Sequence, residues 1–170
     1  GFIMFGAFLE RSKMSSIFMD LACLLTRNSQ GGPAKVAIFA SALFGTISGS
    51  ASANVYGTGT FTIPLMKKTG YKPEFAAAAE ASASTGGQIM PPVMGAAAFI
   101  MTEYIGCSYG TIALAACIPA LLYFTGIFIA VHLEAKKLGL KGVPREELPA
   151  WRLLVRDCYL IIPLILLVWL

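Results

Sequence analysis

The sequence predicts an all-α integral membrane protein in which transmembrane helices accompany a re-entrant helical hairpin and a discontinuous helix. Three features carry that expectation. First, 56% of the 170 residues are hydrophobic and 13% charged, with a mean hydropathy of +0.71, whereas soluble domains carry about 25% charged residues. Second, charge is clustered: no Asp, Glu, Lys, Arg or His lies between Lys35 and Lys67 or between Glu103 and His132. Third, polar and small residues interrupt two of the uncharged runs, at 47–54 (ISGSASAN) and 82–94 (SASTGGQIMPPVM). Interrupted backbone at bilayer depth is tolerated only where protein buries it or where it lines a polar cavity.

The net charge of +4 comes from Lys and Arg beside apolar runs. That is where the positive-inside rule puts them, so a lipid bilayer and not a nucleic acid explains the excess. Cys23, Cys107, Cys117 and Cys158 show no CxxC spacing and read as small hydrophobes, not as metal ligands or disulfides.

Residues 1–32 read as the end of a transmembrane helix, closed by Glu10, Arg11 and Lys13, followed by an amphipathic interfacial helix. In the latter Ile17, Phe18, Leu21, Leu24 and Leu25 recur at helical spacing. Residues 33–73 form the re-entrant hairpin, with arms at 34–46 and 55–66 that are each too short for the roughly 20 residues of a crossing. Lys35 starts it and Lys67, Lys68 and Lys72 end it, so both ends belong on the cytoplasmic side and the tip near mid-membrane.

Residues 74–103 form the discontinuous transmembrane helix. Its alanine-rich left half and apolar right half favour helix, while Gly86 and Gly87 weaken it and Pro91 and Pro92 remove two backbone donors. A transmembrane helix over 108–133 returns inward, with Pro119 as a kink. Residues 134–156, with Lys136, Lys137, Lys141, Arg145, Arg152 and Arg156, are the basic cytoplasmic linker. Residues 157–170 begin a truncated transmembrane helix whose apolar run stops after about half of a roughly 20-residue span, so a longer parent protein is expected.

Two interruptions, one in a hairpin and one in a crossing helix, point to the mid-membrane binding site of a secondary transporter. Broken helices present positive N-terminal and negative C-terminal ends without placing a full charge in the membrane. Side-chain oxygens of Ser48, Ser50, Ser52, Asn54, Ser84 and Thr85, with backbone carbonyls of Gly49, Gly86, Gly87, Ile89 and Pro91, are hard ligands for an alkali cation. No carboxylate lies at either break, which favours a monovalent ion over calcium.

Packing of small residues is the competing explanation for SGSASA. It does not extend to STGGQIMPP, where Gln88 and paired Gly and Pro would be costly in lipid unless wet or buried. Glu80 is open between a coupling or gating carboxylate and an interhelix hydrogen-bonding role, and His132 reads as structural. Other function classes are a passive ion channel, distinguished by lack of coupling, and another sodium-coupled transporter. An intramembrane serine hydrolase, with Ser48 or Ser50 as nucleophile, would need His132 within hydrogen-bond reach. The topology separates them, so no catalytic residue is expected.

The stretches 5–12 (FGAFLERS), 31–54 and 63–92 resemble the large membrane (permease) subunit of the tripartite ATP-independent periplasmic (TRAP) transporters. The form STGGQIMPPVMGAAAF at 84–99, with HLEAKKLGLKG at 132–142, is most similar to the fused permeases of the TAXI subclass. The resemblance implies half of an inverted-repeat, elevator-type transporter in the bacterial inner membrane, its second copy lying outside this sequence. It further implies sodium as coupling ion with no other cofactor, and a periplasmic substrate-binding protein delivering an organic acid or related solute. A small membrane subunit or its fused equivalent is a further partner. The family's sodium sites correspond to residues 48–54 and 84–92, with Gln88 and Pro92 assigned to the solute.

Overall fold

The computed structural model describes residues 14–26 and 29–140, and among them every regular element is a helix. The expected transmembrane end at 1–9, the linker beyond Leu140 and the helix start at 157–170 lie outside the described residues.

Helix α1 (Met14–Thr26) lays Met19, Ala22 and Cys23 against Val36 and Ala40 of α2 (Gly32–Ser48). Small or apolar residues surround α2, and Ala34, Ala37, Ile38, Phe44 and Ile47 are all buried, the pattern of a helix with neighbours on every side. Gly31, at φ 69°, turns the chain into it, and Pro33 occupies its first turn, where a missing N–H loses no helical bond.

The helix ends at Gly49, whose φ of 60° is the left-handed cap that glycine adopts without strain; its N–H bonds the Gly45 carbonyl. Ser50 immediately caps α3 (Ala51–Lys68), its hydroxyl accepting from the Ala53 N–H at 3.4 Å. Left-handed cap and N-cap together reverse the chain within two residues. The interruption is therefore narrower than the expected 47–54: Ser48 closes α2, and Ser52 and Asn54 lie within α3.

Helix α4 (Pro73–Gly86) opens on proline and places Glu74 in its first turn, where negative charge meets the positive end of the helix dipole. Its Ala76, Ala79 and Ala83 pack into the core shared with α2, α3 and Tyr71, small side chains permitting close approach. After Gly86 the helix tightens: the N–H groups of Gly87, Gln88, Ile89 and Met90 bond carbonyls three residues back. Pro91 and Pro92, joined by a cis peptide bond, then offer no N–H. The Gly95 N–H returns to the Gln88 carbonyl at 2.7 Å, and α5 (Ala96–Ile105) follows.

After Gly106 (φ 71°), Ser108 caps α6 (Tyr109–Lys137). This is the one described helix long and apolar enough to cross a membrane. It leaves Leu114, Ile118, Leu121, Leu122, Ile129 and Leu133 exposed. At its C-terminal end, Val131 and Ala135 join the core with Ala34, Met66 and Tyr71. The start of α2, the end of α3, the start of α4 and the end of α6 therefore share one basic end of the molecule. Further along α6, Gly86 abuts the rings of Tyr123 and Phe124. At 1.5 Å per residue, that level is about 17 Å from Ala135, partway along a helix about 43 Å long.

Candidate functional site

The tip between α2 and α3 meets the break between α4 and α5. A side chain on Gly45 would collide with the Cα of Gly87, and one on Gly49 with the Met94 carbonyl. The Val93 N–H donates to the Thr46 carbonyl at 3.3 Å, tying the break to the last turn of α2. C-terminal ends of α2 and α4 and N-terminal ends of α3 and α5 thus converge, bringing partial charges of both signs together.

Among the tip residues, Ser48 is half-buried and its hydroxyl accepts from the Ser50 N–H at 3.4 Å. Gly49 is buried, while Ser50 and Ser52 are exposed. Asn54 is fully buried, donating through Nδ2 to the Ser41 carbonyl at 2.8 Å, and its amide abuts Gly87. On the other side Ser84, Gly86 and Gly87 are buried, and Ile89 and Pro91 half-buried. Thr85 is exposed and its hydroxyl turns back to the Ala81 carbonyl at 2.8 Å, inside its own helix. Gln88 is exposed and Pro92 half-buried; the Pro92 carbonyl accepts from the Tyr109 hydroxyl at 2.7 Å, as the Val93 carbonyl does at 2.9 Å. The structure brings Gly49, Asn54 and Gly87 to the junction, sets Ser84 in the layer below it, turns Gly86 toward α6, and leaves Ser52 and Thr85 off it.

Below the junction lies a polar cluster that the sequence did not assemble. Glu80 is fully buried. Hydroxyls of Thr58 and Thr62 donate to its two oxygens, joined by Ser84 at 3.2 Å and Ser41 at 3.4 Å. Thr58 also lies 3.4 Å from the Asn54 Oδ1. Asn54, Thr58 and Thr62 recur every four residues, one face of α3, and that periodicity was the available signal. Ser41, between apolar neighbours in α2, gave none. The absence of a carboxylate expected at the breaks therefore needs refinement: Glu80 contacts the junction through Ser41, Thr58 and Ser84.

Hydroxyl, amide and carbonyl oxygens around four helix ends form a hard donor set that fits an alkali cation. Among the described residues no group of three His, Cys, Asp or Glu could hold a metal. Hydrolase chemistry loses its base: His132 Nδ1 lies 3.1 Å from Lys35 Nζ, and Lys35 precedes Ser48 by thirteen residues of α2, about 20 Å along the axis. A separate cavity of about 430 Å³, bounded by Leu21, Phe39, Leu43, Met90, Leu121 and Phe128, is apolar and suits hydrocarbon, not an ion.

Residues 1–170 match the family model described as the tripartite ATP-independent periplasmic transporter, DctM component. The chain is similar to the C4-dicarboxylate TRAP transporter large permease protein DctM of Pseudomonas aeruginosa, 29% identical over 153 residues, covering 88% of this chain and 35% of the relative. It is 30% identical over 146 residues to the isethionate TRAP transporter permease protein DctMQ of Oleidesulfovibrio alaskensis, covering 86% and 23%. Similarity to the sialic acid TRAP transporter large permease protein SiaM of Vibrio cholerae is 27% over 146 residues, covering 86% and 34%. The chain thus spans about a third or less of the length of these relatives.

Proposed function

The chain belongs to the DctM component family of the tripartite ATP-independent periplasmic transporters, and from that premise we propose that it forms part of the permease of a sodium-coupled secondary transporter. The convergence of the α2–α3 tip with the α4–α5 break carries this reading. Paired helix ends and hard oxygens at one place suit a small cation and an anionic solute, with the buried Glu80 carboxyl close behind them. Because the tip lies partway along α6 while both hairpin ends share the basic end, the hairpin enters and leaves from the cytoplasmic face. Hairpin and broken helix move together as half of an elevator-type transport domain in the inner membrane.

The named solutes of the three relatives, a C4-dicarboxylate, isethionate and sialic acid, are all organic acids, which favours that class here. A periplasmic binding protein delivers the solute, and a small membrane subunit, separate or fused, completes the permease. Stretches 84–99 and 132–142 support a place among the fused permeases of the TAXI subclass.

The test is uptake of labelled organic acids by the full-length parent protein in proteoliposomes. Uptake is expected only with an inward sodium gradient and the cognate binding protein. Sodium-independent uptake would sink the reading, and current without solute coupling would replace it with a passive pore.

A further inference from the structure

Glu80 is bound by hydroxyls from three helices: Ser41 of α2, Thr58 and Thr62 of α3 and Ser84 of α4. A hydroxyl rotates freely and carries one proton. Aligning four of them on one carboxylate therefore fixes how both hairpin arms sit against the broken helix. A buried network of this kind rigidifies what it joins, and becomes costly when one member is removed.

Two of those partners also contact Asn54. The Ser41 carbonyl accepts from its Nδ2 at 2.8 Å, and the Thr58 hydroxyl lies 3.4 Å from its Oδ1 and 2.9 Å from its backbone carbonyl. Asn54 in turn presses on Gly87, where any side chain would meet the amide. The Nδ2 end of the Asn54 amide is thus held by the backbone of Ser41, and beside its Oδ1 lies Thr58, whose one proton Glu80 takes in place of Asn54. Thr62 differs: it binds Glu80 and the Thr58 carbonyl without reaching Asn54.

We propose that Glu80 is a positioning residue: by holding Ser41 and Thr58 it sets Asn54 against Gly87, and so tunes cation affinity at the junction of tip and break without touching the ion. The role belongs to the outer support of a site, whose loss loosens ligands that remain in place. It rests on the proposed sodium coupling, so the test carries one readout that does not.

The experiment uses the full-length parent permease with its native cysteines replaced, in proteoliposomes, and varies sodium. Glu80→Ala is expected to raise the half-saturating sodium concentration by about tenfold while maximal uptake stays within about twofold, the size of a lost charged hydrogen bond. Glu80→Gln, which keeps acceptor oxygen and shape, is expected to stay within about threefold of wild type. Thr58→Val should shift sodium dependence as Glu80→Ala does, and Thr62→Val should not.

The second readout is the rate at which a thiol reagent labels Ser48→Cys: faster with Glu80→Ala or Thr58→Val, unchanged with Glu80→Gln or Thr62→Val. If Glu80→Ala does not reach the membrane, the two threonine variants decide the matter. Wild-type sodium dependence and labelling in Glu80→Ala would overturn the proposal. So would Glu80→Gln as damaging as Glu80→Ala, which would make the carboxylate a direct ligand, or equal effects of Thr58→Val and Thr62→Val, which would leave only general packing. If wild-type uptake ignores sodium, the transport reading fails while the labelling comparison still decides the role of Glu80.

Discussion

Gly45 and Gly87 meet backbone to backbone, so a single methyl group is enough to separate tip from break. Gly87→Ala is expected to cost about 1–3 kcal/mol, the usual range for overpacking, seen as a lower thermal midpoint for the full-length protein in detergent. Tyr71 gives a second test. Burial, and then the nearby Glu134 carboxylate, push its phenol from 10 up to about 12. A raised folded value means that its stabilisation is fully present below about pH 10 and is lost as pH rises through about 12. Tyr71→Phe should remove that part of the alkaline loss, as read from unfolding midpoints across the range. Lys35 shows what charge patterning leaves out. The positive-inside rule assigns a side of the membrane, not a degree of exposure. Lys35 is 2% exposed, bonded to Ser29 and His132 and 4.7 Å from the centre of the Phe128 ring. His132, expected to be structural, is its partner.

At the scale of elements, both interruptions were legible because glycine, proline and serine act locally on the backbone. Pro91 and Pro92 cannot continue a helix wherever they fold, and Gly49 permits a left-handed cap. The width of the tip was not legible, since SGSASA looks the same in a loop as in the first turn of α3. The Glu80 cluster was still less so, because its members come from three helices separated by up to 43 residues of sequence, and only packing brings them together. Tyr109 is a comparable case: it lies in α6, yet its hydroxyl serves carbonyls in the break. Tyr109→Phe should cost about 1 kcal/mol, the net worth of a typical hydrogen bond, and should speed labelling of a cysteine placed at Val93.

For the whole molecule, the exposed apolar face of α6 sets the strongest expectation. Leu121 and Leu122 are about two-thirds exposed, near the middle of the helix. A lysine at Leu122 facing hydrocarbon would cost about 2.5–3.5 kcal/mol on insertion scales. Leu122→Lys should therefore reduce the membrane-inserted fraction of the full-length protein, and a lysine at exposed Thr60 of α3, which replaces a polar side chain, should reduce it less. Among the described residues only α6 passes as a span; α4 and α5, with the break between them, are 14 and 10 residues long. A helix divided at a break falls short of a test based on uninterrupted length whatever its surroundings.

Alongside that break, α6 is continuous where α4–α5 is not. Its Tyr109 hydroxyl holds the Pro92 and Val93 carbonyls, its Tyr123 hydroxyl binds the Ser82 carbonyl at 2.9 Å on the other side, and Tyr123 and Phe124 brace Gly86 between them. A fractured rod lashed at both sides of the fracture to an unbroken one behaves as splinted. Bending load passes through the splint, and the gap stays open without becoming a hinge. Flexing of the assembly is then displaced from the unwound segment to the exposed connection at 106–108, since Tyr71 ties the one at 69–72 into the core.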